Sequence, residues 1–458
     1  MKNRKTISIF ISIVVLITIL VMPATSSLTV EGKNAIGITL FFLILLLTEA
    51  LPLPVSCLLT IGLMPLLNIT GRFYEAVVGF SHPVIFFIIA SFGIANAIIK
   101  VSTSNRVLLA ILRKSGSRIE NVVLAIMLTT AAVSFFMSNV AVCAIMMSIA
   151  LKFINLFEEG EEKKSIGKTL MIAVPVATMI GGMATPASSS LNLLAIDLLE
   201  RHTGYTIAFV DWMVIGIPLV IFLTPVAWFI IIKTYKPSQI SSEKIEQFKR
   251  NIHVDKKIGR KEAFVISIMA AMLILWISSS WVQGIEVFTV AVLGCVLFFL
   301  PGINVLSWDE FLPSINWDVI FISGTILTIA SIVEKHNIGY WLVEILYLSH
   351  LTLNANLLVG FAALIAFISL LIITSAPALI LVLSSPFITI AAANGVPPYF
   401  LIMTLAFCAG NCYLFPLDTV QLLTYSKGYY KMTDMARATI FMQIIMIIIL
   451  AFWIPFMG

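Results

Sequence analysis

Charged residues are scarce in this chain. Lysine, arginine, aspartate and glutamate make up 11% of the 458 residues, whereas soluble domains carry about 25%. Hydrophobic residues make up 60%, and the mean hydropathy is +1.06. This composition predicts an all-α polytopic membrane protein surrounded by the lipid bilayer. The net charge of +5 does not indicate nucleic acid as a partner, because the placement of the charges matters more than their sum.

Sequence patterns of enzymes and metal centres are missing as well. The five cysteines all lie in apolar segments and form no CxxC pair, so neither a disulfide nor a metal site is expected. The segment SIGKT at 165–169 lacks the glycine spacing of a phosphate-binding loop and precedes an apolar span, which argues against an ATP-driven pump. No HExxH or GxSxG motif appears. We therefore expect no enzyme activity and no cofactor.

Long apolar runs divide the chain into membrane spans, each needing about 20 apolar residues. Eleven segments fit this requirement: 6–22, 34–49, 52–68, 82–101, 166–199, 210–233, 263–282, 285–301, 316–334, 398–424 and 436–457. The basic start and apolar run of the first segment would also suit a signal peptide, but the spans that follow favour a first membrane helix.

Two further apolar segments, 120–152 and 354–393, are too long for one helix and too short for two spans with a loop. We interpret both as re-entrant hairpins, which return to the side they entered from. With a cytoplasmic N-terminus and an outside C-terminus in the cell (plasma) membrane, 24 of the 28 Lys and Arg residues then lie inside. The four outside are Lys33, Arg72, Arg201 and Lys335. This bias follows the positive-inside rule and supports the topology.

The long polar connection at 234–262 separates a first half, 1–233, from a second half, 263–458. Its apolar residues recur among basic ones at helical spacing: Ile240, Ile245, Phe248 and Ile252. This pattern predicts either a cytoplasmic amphipathic helix lying on an anionic leaflet or a solvated linker.

The two halves resemble each other. HPVIFFIIASFGIANAIIK at 82–100 matches WDVIFISGTILTIASIVEK at 317–335, and in each half a hairpin follows. A span with a polar, helix-breaking centre comes next: GGMATPASSSLN at 181–192 and AGNCYLFPLDTVQ at 409–421. Under the topology above the matched spans run in opposite directions. Inverted repeats with interrupted helices are typical of secondary transporters, in which half-helix N-termini suit an anion and freed carbonyls suit a small cation.

TEALPLP at 48–54, the Ser-Asn pair in FFMSNVAVCAIMM at 135–147, the GGMAT and SSxxN pattern and the order of segments resemble the divalent anion:sodium symporters. The resemblance covers nearly the whole chain. It implies a carrier of dicarboxylates, citrate or sulfate that uses sodium as the coupling ion. It also implies a homodimer, in which a mobile transport domain moves substrate past a scaffold domain by an elevator motion.

The resemblance implies a first sodium site at Ser134, Ser138 and Asn139. Asn139 would also contact substrate, and Val140 replaces a substrate-binding Thr. In the broken span that follows, Ser188 would offer a carbonyl to sodium, and Ser189 a side chain to substrate. Asn192 matches the family's Asn, whereas Ser190 and Leu191 replace its Pro-Pro.

The second half departs further from the family pattern. Its hairpin tip reads Thr374, Ser375 and Ala376 in place of Ser-Asn-Thr, and Leu370 replaces a hydroxyl of the second sodium site. The resemblance still implies that Thr374, Ser375 and Thr419 bind substrate.

Asp418 stands where the family has a small residue. An ionisable residue inside a span is costly and indicates function. It would either ligate a cation, titrate as a proton carrier, or cap the half-helix that follows it. These alternatives remain open at the level of sequence.

The sequence thus predicts a sodium-coupled secondary transporter of small divalent organic anions such as succinate or malate. An anion exchanger, a proton-coupled carrier, and a carrier of sulfate or tricarboxylates are the alternatives within transporters. An anion channel or a ligand-binding membrane sensor is the alternative from another class.

Overall fold

The computed structural model describes residues 2–23, 28–48, 50–114, 118–252, 257–336, 338, 341, 353–371, 373, 375–416 and 418–457. These residues form helices and connecting turns without any strand, which confirms the all-α prediction. The helices are α1 (Lys2–Val21), α2 (Val30–Thr48), α3 (Leu53–Leu66), α4 (Phe73–Ala76), α5 (Pro83–Ile99), α6 (Thr103–Lys114), α7 (Ile119–Ser134), α8 (Asn139–Ile154), α9 (Glu161–Gly181), α10 (Ser190–Thr203), α11 (Phe209–Tyr235), α12 (Ser242–Asn251), α13 (Arg260–Ser278), α14 (Val287–Leu297), α15 (Trp308–Phe311), α16 (Trp317–Lys335), α17 (Ala355–Leu370), α18 (Ala376–Ala393), α19 (Pro398–Gly410), α20 (Thr419–Tyr425) and α21 (Met432–Met457).

Six of the described helices are long and apolar enough to cross a membrane, and the bent pair α5 and α6, which meet at 59°, raises this number to seven. Seven further apolar helices have 10–17 residues. The protein is therefore a multi-pass membrane protein. The count of eleven spans stays a prediction.

Glycine and proline end the helices at the two polar breaks. α9 ends at Gly181, and Pro186 lies in the gap before α10. α19 ends at Gly410, and Pro416 lies in the gap before α20. A proline has no amide hydrogen to donate to a continuing helix, and its ring clashes with the preceding turn. Each span expected to have a polar centre accordingly consists of two helices.

The two segments expected to be hairpins each form a pair of helices that contact each other, α7 with α8 and α17 with α18. Elements then recur in the same order, with α9, α10 and α11 in the first half and α19, α20 and α21 in the second. The packing is reciprocal, since α10 contacts α18 and α19 while α20 contacts α8 and α9. Each short half-helix thus packs on the other half, which supports the internal repeat. Its inverted orientation and the re-entrant course of the hairpins stay predictions.

The linker helix α12 packs on protein. Ile245 and Phe248 are buried, and the Phe248 ring lies 4.6 Å from the ring of Phe153 at the end of α8. The Lys244 ammonium lies 4.3 Å above the Phe157 ring. The amphipathic helix expected here is therefore present. However, its apolar face covers the end of the first hairpin segment, and the expectation that this face lies on the leaflet is wrong.

A polar cluster joins α10 to the matched spans α5 and α16. The Asp197 carboxylate accepts from His82 Nε2 at 2.8 Å and from Arg201 Nε at 2.9 Å, and Arg201 also donates to Ser331 Oγ at 3.2 Å. His82 additionally caps α5, since its Nδ1 accepts from the Val84 amide at 3.2 Å. The imidazole proton must therefore be on Nε2, where it is donated to Asp197.

We predict that Asp197→Ala lowers the melting temperature of the purified protein. The change leaves a buried His82 donor without its acceptor, which costs about 1–3 kcal/mol. Asp211→Ala, which removes an exposed carboxylate from the first turn of α11, is the matched control. Equal melting temperatures for the two variants in a thermal unfolding scan would contradict this account of the cluster.

Candidate functional site

A cavity of about 270 Å³ lies where the two halves meet. Six of the predicted site residues line it: Ser138, Asn139, Ser189, Ser375, Asp418 and Thr419. They belong to the starts of four helices, α8, α10, α18 and α20. The structure thus collects in one place residues that are up to 281 positions apart in the sequence.

A larger groove of about 820 Å³ lies between α11, α17 and α21. Its wall is mainly apolar, with Phe222, Phe452 and Phe456 among the lining side chains, and it includes none of the predicted site residues. Apolar helix faces of this kind contact lipid in a membrane protein. The smaller cavity, where the polar groups converge, is the candidate site.

The first hairpin tip carries polar atoms without partners. Ser138 Oγ and Asn139 Oδ1 are both buried, and neither has a hydrogen-bond partner among the described residues. Buried polar atoms in folded proteins are almost always satisfied, so an exception needs an explanation. Oxygen atoms of this kind are ligands for hard cations. The Ser138 and Asn139 oxygens therefore fit a sodium ion, the cation that the family resemblance implies for them.

Ser134 and Ser188 lie behind the tip, outside the cavity wall. The Ser134 hydroxyl donates to the Thr130 carbonyl at 2.9 Å, and the Ser188 hydroxyl donates to the Gly182 carbonyl at 2.7 Å. The Thr185 hydroxyl donates to the Phe135 carbonyl at 3.1 Å and joins the break to the tip. Both predicted residues thus adjoin the tip, although their hydroxyls are already bonded to backbone.

The hairpin starts differ from the half-helix starts in how they are capped. Ser138 and Ser375, which precede α8 and α18, make no side-chain cap hydrogen bond. Ser189 Oγ accepts from the Leu191 amide at 3.3 Å at the start of α10. The first backbone amides of α8 and α18, apart from Pro377, which has no amide hydrogen, are therefore not capped by these serines, and uncapped amides at a helix start suit an anion.

Asp418 caps α20. Its Oδ1 accepts from the Val420 amide at 2.9 Å, and its own amide donates to Gln421 Oε1 at 3.5 Å. The capping interpretation of Asp418 is therefore correct at the level of geometry, and a role toward a cation or a proton stays a proposal. Among the described residues that line the cavity, Asp418 is the only one with a formal charge.

Side-chain amides satisfy the broken backbone in both halves. Asn192 Nδ2 donates to the carbonyls of Gly182 and Thr185 at 2.8 and 3.0 Å. Gln421, at the corresponding position, donates through its Nε2 to the Cys412 carbonyl. These contacts fix the breaks in a membrane interior where water is scarce.

Part of the cavity wall was not predicted from sequence patterns. Phe87 and Ile88 of α5 line it, and so do Ile322 and Ser323 of α16. The two pairs are related by the same offset of 235 residues that aligns the matched spans. This offset could have identified these residues from the sequence, because equivalent positions in two repeats occupy equivalent places in the fold. Thr374, the remaining predicted residue, lies outside the described residues.

The sodium:sulfate symporter transmembrane region, a family model, matches residues 3–457. This chain belongs to that family. Its members are sodium-coupled divalent anion transporters, so the protein is a transporter and not an enzyme, and sodium is the coupling ion of the family.

Relatives of this chain include the sodium-dependent dicarboxylate transporter SdcS of Staphylococcus aureus. The proteins from strains USA300 and N315 are each 25% identical to this chain over 451 residues, which cover 92% of this chain and 85% of the relative.

Two solved transporter structures share the fold at lower identity. The Alcanivorax borkumensis YdaH transporter has a TM-score of 0.59 and 13% identity, covering 83% of this chain and 86% of that one. Neisseria gonorrhoeae MtrF, described as illuminating a class of antimetabolite efflux pumps, has a TM-score of 0.53 and 15% identity, covering 86% and 84%.

We predict that Gly182→Ala removes the stabilisation that sodium gives this symporter. A methyl group at Gly182 would lie 2.6 Å from both polar atoms of the Asn139 amide and would displace that side chain from the tip. Because only one short side chain must move, the fold should persist. Sodium raises the melting temperature of a protein that binds it, and the variant should lose this increase.

The control for this experiment is Gly62→Ala in α3, where an added methyl group meets no atom within 4 Å. It should keep the sodium-dependent increase in melting temperature. A Gly182→Ala protein that responds to sodium as the wild type does would contradict the assignment of the Asn139 amide.

Proposed function

We propose that this protein is a sodium-coupled secondary carrier of small dicarboxylates such as succinate or malate. The observation that carries the proposal is the pair of buried oxygens, Ser138 Oγ and Asn139 Oδ1, which have no partner among the described residues. Ser138 and Asn139 line a cavity whose described wall contains no Lys, Arg or His. The dicarboxylate name of the SdcS relatives supports the choice of substrate.

The sodium site comprises Ser138 and Asn139 at the tip, with Ser134 and the carbonyl of Ser188 completing it from behind. The substrate site comprises Asn139, Ser189, Ser375 and Thr419, together with Thr374. Hydroxyl and amide groups, with the uncapped backbone amides of the hairpin starts, donate hydrogen bonds to the carboxylates.

Coupling follows from the charges in the cavity. A dicarboxylate that enters it meets no fixed cationic side chain in the described wall, so desolvation of its two charges is poorly compensated. A sodium ion at the tip supplies a positive charge next to the anion. Sodium binding therefore raises the affinity for the anion, and by thermodynamic reciprocity the anion raises the affinity for sodium.

The transport cycle is an elevator motion in a homodimer. α7 to α11 and α17 to α21 form the mobile part, which contains both hairpins and both breaks, while α1 to α6 and α13 to α16 form the scaffold. The two hairpins are re-entrant and the halves are inverted repeats of 1–233 and 263–458. The N-terminus is cytoplasmic, the C-terminus is outside, and the protein resides in the cell membrane.

A second candidate function is a proton-coupled carrier or an anion exchanger. Two observations favour it. Leu370, which takes the place of a hydroxyl of the second sodium site, is buried and apolar. Asp418 adds a titratable group to the cavity wall. In this alternative Asp418 serves as the cation or proton site in place of the second sodium site.

We expect proteoliposomes that contain the protein to accumulate labelled succinate when an inward sodium gradient is applied. Asn139→Ala removes an oxygen ligand of sodium, so the uptake rate should fall by about tenfold or more, the equivalent of about 1.4 kcal/mol. Ser148→Ala, which removes an exposed hydroxyl from the same helix α8, should transport at the wild-type rate.

Replacing sodium by choline separates the two candidate functions. The symporter predicts loss of accumulation under these conditions. Succinate exchange that proceeds equally well without sodium would exclude the symporter, and uptake driven by a pH gradient alone would favour the proton-coupled carrier.

A further inference from the structure

The cavity collects positive ends of helix dipoles. Three helices that start at serines on its wall are long enough to have a developed dipole: α8 with 16 residues, α10 with 14 and α18 with 18. Each N-terminus is equivalent to about +0.5 elementary charge, so the three together supply about +1.5. With a serine at every start, this fixed charge would suit an anion with two negative charges.

The fourth start carries an aspartate in place of a serine. Asp418 contributes a full negative charge when ionised, which reduces the fixed charge of the wall from about +1.5 to about +0.5. Its Oδ1 accepts from the Val420 amide at 2.9 Å, a hydrogen bond that is stronger when the carboxylate is ionised.

No charged group from the neighbouring elements offsets Asp418 in the described wall. α2 and α3 contribute Leu46 and Leu53, and α5 and α16 contribute apolar, serine and asparagine side chains. A carboxylate near an anion site disfavours a second negative charge close to it.

Asp418 lies close to the first hairpin tip. The Cys143 thiol donates to the Val420 carbonyl at 3.3 Å, which fastens the first turn of α20 to α8 one helical turn beyond Asn139. Asp418 and Asn139 both line the same small cavity. The Asp418 carboxylate therefore lines the cavity that we propose binds the carboxylate substrate.

We propose that Asp418 is a specificity-determining residue that lowers the affinity of the site for a dianion relative to a carboxylate of the same size with net charge −1. Because the sodium ion of the proposed function adds its own positive charge next to the anion, succinate still binds. Asp418 then sets how well small carboxylates of net charge −1 compete with it, namely dicarboxylates that carry an ammonium group and monocarboxylates. The inference rests on the proposed function, since it concerns the ligand of the same cavity. It extends the ligand class of the site from divalent anions to these carboxylates of net charge −1.

The test compares three four-carbon probes by isothermal titration calorimetry on the purified full-length protein at neutral pH and constant sodium. Succinate carries two negative charges, whereas L-aspartate and butyrate each carry a net single one. The wild type should bind L-aspartate or butyrate in addition to succinate. In Asp418→Asn, which preserves the cap, the affinity ratio should shift toward succinate by about tenfold or more, the scale on which a nearby charge changes an ionisation equilibrium.

Two further variants distinguish the effect of the Asp418 charge from a folding defect. Asp418→Ser reproduces the serine found at the other three starts and should shift the ratio in the same direction. Asp211→Asn removes an exposed carboxylate from the start of α11, away from the cavity, and should leave the ratio unchanged.

The same affinity ratio in Asp418→Asn as in the wild type would overturn the inference while leaving the carrier intact. In another outcome, the wild type needs an additional sodium ion to prefer succinate and Asp418→Asn does not. This result would also overturn the inference, because a cation then compensates the negative charge of Asp418. Absence of sodium-dependent binding for all three probes would instead overturn the proposed function.

Discussion

Backbone groups at a broken helix need partners inside the protein, because lipid offers none. The rest of this structure depends on how the two breaks and two hairpin tips meet that requirement. Asn192 and Gln421 satisfy the carbonyls of the breaks, and Ser189 and Asp418 cap the half-helices after them. The hairpin starts at Ser138 and Ser375 are left without side-chain caps, so their backbone amides are the ones available to a ligand.

Because side chains cap the half-helices but not the hairpin starts, an apolar protein can bind an anion without a basic side chain. The described cavity wall has helix starts and neutral oxygens in place of Lys or Arg. A fixed cation would bind the anion equally well at every stage, whereas a mobile cation binds and leaves with it. Anion binding then depends on sodium because the described wall has no positively charged side chain. Asp418 acts in the opposite direction, since it adds a negative charge to the wall.

Much of this arrangement was predictable from the sequence. Spans appear as long apolar runs, and the breaks appear as Gly, Pro and Ser clusters within them, because composition and helix-breaking residues act locally. Ser138 and Asn139 stood out because polar atoms in an apolar run need partners.

What could not be predicted depends on packing between distant segments. The periodicity of Ile245 and Phe248 marks an apolar face, but whether that face meets lipid or Phe153 is decided by tertiary structure. The wall formed by Ile88 and Ser323 and the cluster around Asp197 likewise arise only when the two halves pack together.

In the proposed mechanism, a transported sodium ion satisfies the Ser138 and Asn139 oxygens and thereby creates the anion site. Reciprocal binding tests this mechanism: the sodium affinity is obtained from the rise in melting temperature with sodium, at constant ionic strength, with and without succinate. We expect that sodium alone stabilises the protein, that succinate increases the sodium affinity, and that succinate does not bind when choline replaces sodium. A succinate affinity that is the same in sodium and in choline would contradict the mechanism.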